Sequence, residues 1–153
     1  MHEIRLANLN DFENIKKLNT KAFADNPKFD EDIVEGYAST SQGEKYFKSA
    51  IQSKDGCFFV CEENSVLIGY ANGRPMDIDY RKSRYFEIVN IGVDPEKRGL
   101  GIGKALLDKV SNWAKKNGFQ KIYLNCYAKN LGAIEFYKKN GYEVIDVSLE
   151  KRI

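Results

Sequence analysis

The sequence predicts a mixed α/β fold, a β-sheet flanked by helices, with elements in the order β-αα-βββ-α-β-α-β. Three observations carry this. Short runs rich in β-branched and aromatic residues alternate with longer stretches whose apolar residues recur every three or four positions. One such run, Tyr85–Val93, leads through a basic, glycine-punctuated loop directly into an amphipathic helix. The chain has 153 residues and 42% hydrophobic content, enough for one domain, 1–153, with a substantial core.

Each element has its own warrant. His2–Leu6 reads as a short strand. Asn10-Asp11-Phe12-Glu13 has the form of a capping box, and Phe12, Ile15, Leu18 and Ala22 follow at helical spacing. A polar, acidic connector containing Pro27 occupies 24–32. Ile33, Val34 and Tyr37 suggest a short helix, interrupted at Ser39–Gly43 and continued by Tyr46, Phe47, Ala50 and Ile51. Cys57–Cys61 is a strand, Glu62–Ser65 a hairpin turn, and Val66–Arg74 the returning strand. A polar loop then precedes the strand Tyr85–Val93. The helix from Gly101 carries Ile102, Leu106, Val110 and Trp113 on one stripe and stops at Asn117-Gly118. Ile122–Leu124 is a strand, Leu131–Lys139 a helix closed by Asn140-Gly141, and Tyr142–Leu149 a final strand.

Composition narrows the function classes. Lys and Arg total 24 against 22 Asp and Glu, a formal charge of +2, so no basic excess marks a nucleic-acid binder. No apolar run reaches membrane-spanning length and no basic-then-apolar leader opens the chain, so the expected compartment is the cytoplasm. Cys57, Cys61 and Cys126 lack metal-site spacing and histidine companions, and no metal is expected. Cys57 and Cys61 should lie on one strand face as small buried hydrophobes. His2, the single histidine, sits near a chain end, which removes Ser-His-Asp and Cys-His mechanisms.

The most informative stretch runs from Val93 through Asp94, Pro95, Glu96, Lys97, Arg98, Gly99, Leu100, Gly101, Ile102 and Gly103 to Lys104 and Ala105. A glycine-rich loop opening a helix leaves backbone N–H groups unpaired at the positive end of the helix dipole, which suits a phosphate or pyrophosphate. Two common nucleotide motifs fail on the letters. Gly99, Gly101 and Gly103 alternate, unlike Gly-x-Gly-x-x-Gly, and Gly103-Lys104 is followed by Ala105 instead of Ser or Thr. What remains is Arg-x-x-Gly-x-Gly, at Arg98, Gly101 and Gly103. A glycine-rich turn with no ligand would share that pattern.

A second motif lies downstream: Asn130, Ala133, Phe136-Tyr137 and Gly141-Tyr142, spaced as Asn-x-x-Ala-x-x-Phe-Tyr-x-x-x-Gly-Tyr. With Val93-x-Pro95-x-x-Arg98-x-x-Gly101-x-Gly103 and the element order, the chain closely resembles the GNAT superfamily of N-acetyltransferases, most strongly from Tyr85 to Tyr142. The resemblance implies a sheet whose strands at Tyr85–Val93 and Ile122–Leu124 splay apart. It implies acetyl-coenzyme A as co-substrate, its pantetheine arm lying in the wedge against backbone groups of Ile91, Gly92 and Val93. The pyrophosphate would rest on the N–H groups of Arg98, Gly99, Leu100, Gly101, Ile102, Gly103 and Lys104. Asn130 matches the asparagine that helps to hold the pantetheine arm.

Acyl transfer to an amine needs a deprotonated nucleophile, a donor for the oxyanion and a proton for the departing thiolate. Tyr137 matches the motif tyrosine that acts as general acid; without the motif it would read as a packing residue. Glu87 is the candidate base, alternating with Val89, Ile91 and Val93 along an apolar strand where a carboxylate is costly without a task or a partner. It would act directly or through water, and Arg84 or Arg81 could instead be its ion-pair partner. The oxyanion donor would be a backbone N–H near Ile91.

The acceptor is the least legible part. Asp25, Asp30, Glu31, Asp32 and Glu35, with Asp77 and Asp79, would favour a cationic amine, whereas Arg74, Arg81, Lys82 and Arg84 oppose a uniformly negative pocket. A small cationic amine is the expected acceptor, with a protein lysine or N-terminal amine as the alternative. A non-catalytic acyl-coenzyme A-binding module shares the fold. The Lys115-Lys116 and Lys138-Lys139 pairs read as solvated helix faces, so neither nucleic acid nor membrane is an expected partner. The resemblance also admits a homodimer, which some members form through the last strand.

Overall fold

In the computed structural model, which describes residues 1–153, five strands form one sheet in the spatial order β1-β2-β3-β4-β5. They are β1 (Glu3–Leu6), β2 (Cys57–Glu63), β3 (Val66–Met76), β4 (Tyr85–Val93) and β5 (Lys121–Tyr123). Pairing is antiparallel except between β4 and β5, which are parallel. The crossover between them is α3 (Ile102–Lys116), as parallel neighbours require. Helices α1 (Phe12–Ala22) and α2 (Ser41–Gln52) cover one face, and α4 (Leu131–Lys139) joins α3 on the other.

The two faces bury separate cores. Phe12, Ile15, Leu18 and Phe47 meet Phe58, Val60, Leu67 and Tyr70 on the α1/α2 side. On the α3 side Ile102, Leu106, Leu107 and Val110 pack on Cys57, Phe59, Cys61, Phe86 and Ile88. Cys57 and Cys61 do share that face, unpaired, and burial pushes the Cys57 thiol up to about 12. No helix is long and apolar enough to cross a membrane.

Local signals act mostly where the sequence places them, with shifts. The capping box sits two residues earlier than expected: Asn8 accepts from Asn10 N at 2.9 Å, and Asp11 accepts from Asn8 N at 2.9 Å. Asp11 is thereby buried, and the Arg5 guanidinium beside it holds its carboxyl below the usual range. The helix expected at Ile33–Tyr37 is replaced by a single 3-10 turn, Tyr37–Ser39, because Gly36 enters the left-handed region at φ +66°. Thr40, read as part of an interruption, is the N-cap of α2, accepting from Gly43 N at 3.1 Å. Asn64 and Ser65 both take positive φ and close the β2–β3 hairpin in two residues.

Two differences bear on the site. Asn72 pairs with Asn90 and Gly73 with Ile88, so Val89 is skipped and β4 carries a bulge there. The second concerns the C-terminal segment. Residues 142–149, expected as a final strand, join no sheet, and beyond Tyr142 no backbone group is hydrogen-bonded. The two edge strands of the sheet, β1 and β5, have four and three residues, too short a template for the whole segment.

Candidate active site

β4 and β5 pair only from Tyr85 opposite Lys121 to Glu87 opposite Tyr123. Beyond that point β3 keeps β4 in the sheet as far as Val93, while the chain after β5 departs toward α4. The divergence opens a cavity of about 910 Å³ between Ile88–Val93 and Leu124–Tyr127. It pierces the sheet: Ala22, Phe23 and Phe29 wall it on the α1 side, Ile102, Phe136 and Tyr137 on the α3/α4 side.

The loop before α3 forms one end. Asp94 caps its 3-10 turn, accepting from Glu96 N at 3.0 Å. Gly99 and Gly101 then take φ +80° and +79°, a conformation that costs an L-residue about 1–2 kcal/mol. The result is that no backbone N–H from Gly99 to Lys104 has a partner within the protein, and α3 has no side-chain N-cap. At Gly103 a Cβ would approach Phe136 to 3.2 Å, so glycine lets α3 and α4 close on one another. The Leu100 side chain is exposed and stands outside the cavity, so this residue can contribute only its N–H. Arg98 lines the cavity and donates to the carbonyl of Ala22 at 2.7 Å, while Lys104 pairs with Asp108 at 2.6 Å.

α4 supplies the other end. Asn130 is its N-cap: Oδ1 accepts from Ala133 N at 3.1 Å, which leaves Nδ2 as a donor on the cavity wall. Tyr137 packs against Phe136 and edge-on against Tyr142, at 5.3 and 5.7 Å between ring centroids. Burial, with Cys126 and Tyr142 nearby, pushes its hydroxyl up to about 12, so it stays protonated through the neutral range. The shift keeps the proton on the phenol but makes it a weaker acid, so transfer to a thiolate depends on that anion being desolvated in the same cavity.

Ile91, Gly92 and Val93 all line the cavity, but Glu87 does not. The bulge at Val89 resets the alternation of β4. Ile88, Ile91 and Val93 pack on the α3 side, whereas a Cβ on Gly92 would meet Tyr70 and Ala22 and Asn90 reaches Tyr46, all on the α1/α2 side. Glu87, between Phe86 and Ile88 of the α3-side core, therefore shares a face with Asn90, not with Ile91 and Val93. Its Oε2 accepts from Arg74 Nε at 3.0 Å; the partner is Arg74 and neither Arg84 nor Arg81.

The cavity also contains residues that sequence reasoning passed over. Phe29 from the connector stacks on Tyr127 from the β5 exit, centroids 6.2 Å apart, across the α1-side mouth. Asp25, by contrast, was among the acidic residues expected on the acceptor side; it lines the same mouth, bound to Lys28 at 2.9 Å. Asn90 is the single polar side chain that β4 brings to the wall, and Cys126 lines the cavity near Tyr137. Asn90 had one visible signal, an amide inside an apolar strand.

The sequence model of the acetyltransferase (GNAT) family matches residues 18–142, spanning both motifs and every cavity-lining residue except Ser148. The chain belongs to the GNAT family. It is an acyltransferase fold in the sense that the resemblance anticipated, with a five-strand mixed sheet. An uncharacterized N-acetyltransferase of Methanocaldococcus jannaschii is 40% identical over 106 residues, 67% of this chain and 46% of that protein. A probable N-acetyltransferase of Drosophila melanogaster is 36% identical over 84 residues, 54% of this chain and 45% of that one. The chain thus spans about half the length of these curated relatives. A putative acetyl transferase from Pyrococcus furiosus superposes with TM-score 0.79 at 29% identity, covering both chains fully. An aminoglycoside N-acetyltransferase solved with coenzyme A superposes with TM-score 0.77 at 19% identity, over 100% of this chain and 95% of that one, a likeness of fold.

Proposed function

We propose that this GNAT-family chain is an acetyl-coenzyme A-dependent N-acetyltransferase acting on a primary amine. The observation that carries the reading is the unpartnered N–H row of Gly99–Lys104, opening into the β4/β5 cleft that ends at Tyr137. The row and the α3 dipole bind the pyrophosphate. Ile91, Gly92 and Val93 offer strand backbone to the pantetheine arm, and Asn130 Nδ2 donates to one of its carbonyls. An aminoglycoside acetyltransferase of this fold was solved in complex with coenzyme A, which supports coenzyme binding by the fold.

The thioester then lies beside Tyr137, and the acceptor enters past Phe29 and Tyr127. The amine loses one proton to water, or through water to Glu87, and its nitrogen bonds to the acetyl carbon. A backbone N–H near Ile91 receives the oxyanion. As the adduct collapses the carbon–sulfur bond breaks, Tyr137 protonates the thiolate, and the second nitrogen proton restores Tyr137 through solvent. The acceptor is a small cationic amine: Asp25 and the Phe29–Tyr127 pair stand at the mouth, and aromatic faces with a carboxylate favour a cation. Three unpaired cysteines suit a reducing compartment, and we place the activity in the cytoplasm. The homodimer belongs to the same reading, through residues 143–149, whose backbone groups have no partner in the chain. A thiol-release screen with acetyl-coenzyme A against polyamines, aminoglycosides, amino acids and short peptides tests the reading. Release with at least one amine supports it; release with none, together with no heat of coenzyme binding, removes it.

A further inference from the structure

Asn90 sits where the acceptor side of the cleft meets β4. Its Nδ2 donates to the Tyr46 hydroxyl at 3.3 Å, and Asn72 Nδ2 donates to the same hydroxyl at 2.9 Å. Asn72 stands directly opposite Asn90 across the β3–β4 ladder, at the step where the bulge begins. Two amides converging on one oxygen fix both carboxamides. The nitrogen of Asn90 is turned to Tyr46 under α2, so its Oδ1 is left without a protein partner on the cavity wall.

Stability does not account for this cluster. Asn72 is 2% exposed, and its own Oδ1 is buried with no partner. Leaving a buried acceptor unpaired costs folding free energy that an apolar side chain of similar size would not cost. What the arrangement does provide is a rigid hydrogen-bond acceptor one residue before Ile91. A primary ammonium, all donors and no acceptor, is the complement of such a group.

We propose that Asn90 Oδ1 receives an N–H of the acceptor amine, and that Tyr46 and Asn72 are positioning residues that aim it. The assignment rests on the acetyl-transfer reading and adds the contact that selects a nitrogen nucleophile. Holding one N–H on Asn90 points the nitrogen lone pair away from β4, across the cleft toward the thioester end at Tyr137. Glu87 lies on the same face of β4, paired with Arg74.

The test uses the full chain and whichever amine of the screen gives the fastest thiol release. Asn90→Leu is expected to raise KM for that amine about ten- to a hundredfold, with acetyl-coenzyme A affinity by calorimetry unchanged. Asn90→Asp keeps an oxygen at the position and is expected to hold KM within about threefold, a rescue that a packing role would not give. Asn72→Leu is expected to raise KM while the melting temperature holds or rises. Should Asn90→Leu not fold, Tyr46→Phe, which frees the Asn90 amide to turn, asks the same question. Wild-type turnover with an unchanged KM in Asn90→Leu, or in Tyr46→Phe, overturns the assignment alone, and so does an Asn90→Asp as impaired as Asn90→Leu. A wild-type protein that releases thiol with no amine overturns the acetyl-transfer reading, and this assignment with it.

Discussion

The Arg98 guanidinium donates to the carbonyl of Ala22 at 2.7 Å, tying the phosphate-type loop to the last turn of α1. Lys21, one residue earlier on that turn, adds ion pairs to Asp94 at 2.9 Å and Glu96 at 3.3 Å. The loop is therefore held in place before any ligand arrives, and a preorganised site binds with a smaller ordering cost. Arg98→Ala is expected to lose about 1–2 kcal/mol of stability in denaturant unfolding and to weaken acetyl-coenzyme A binding in calorimetry. Arg98→Lys, which keeps the charge but lacks the planar fork, should fall between. Unchanged affinity in both variants would show that the anchor does not shape the loop.

Gly101 offers a cleaner probe of the N–H row. An added Cβ would meet nothing within 4 Å there, so Gly101→Ala acts through its φ of +79° alone. The expected cost is about 1–2 kcal/mol of stability, or, if the loop relaxes to negative φ, a loss of coenzyme affinity as the N–H groups turn away. Gly103→Ala meets Phe136 instead, and its effect should appear as a shift between α3 and α4. Thermal melts with and without acetyl-coenzyme A separate the two outcomes.

How much of this was legible beforehand differs by residue. The strand–loop–helix junction was, because glycine spacing and helix polarity are local properties: Ile91–Val93, Arg98, Gly99, Gly101–Lys104 and Asn130 all reach one cavity, with Tyr137 at its end. Glu87 was misread in orientation, since alternation along a strand assumes no bulge, and the bulge at Val89 is fixed by pairing with β3. Asn90 and Tyr46 were missed because they meet only through α2 packing on the sheet. The 142–149 segment has strand chemistry, but whether a strand forms depends on the edge offered to it.

Tyr137→Phe should lower acetyl transfer by about one order of magnitude or more while leaving coenzyme affinity nearly intact, since it removes a proton donor and little contact area. The pH dependence follows from its environment. With the hydroxyl raised to about 12, the acid form persists well above the ordinary tyrosine range, so kcat should show no basic limb from this residue up to about pH 11. Stability carries the same sign: the preference for the protonated form is fully present below about pH 10 and is lost as pH rises toward 12. A basic limb near pH 10, present in the wild type and absent in Tyr137→Phe, would overturn that environment.

Glu87→Gln separates the two candidate bases. If Glu87 takes the amine proton through water, the acidic limb of the pH–rate profile should flatten in the variant. If the limb persists unchanged, water alone accepts the proton and Glu87 serves its ion pair. The pair lies at an exposed Arg74, so the stability change should stay within about 1 kcal/mol, and a kinetic effect can be read without a folding artefact.

The unpaired C-terminal segment predicts its own partner. Ile145, Val147 and Leu149 alternate with Asp146, Ser148 and Glu150, and Val147 and Leu149 are 79% and 93% exposed. An antiparallel copy centred on Val147 would set Ile145 opposite Leu149 and Glu143 opposite Lys151, all on one face. Such apolar and opposite-charge cross-strand pairs are each worth about 0.2–1 kcal/mol, and the copy would satisfy backbone groups that now have none. Light scattering should therefore find a dimer that Val147→Lys dissociates, with two cations meeting on the symmetry axis. In a Cys126→Ser background, Val147→Cys should form an intermolecular disulfide and Ser148→Cys should not, because only position 147 faces itself. A monomer at high protein concentration would overturn this pairing.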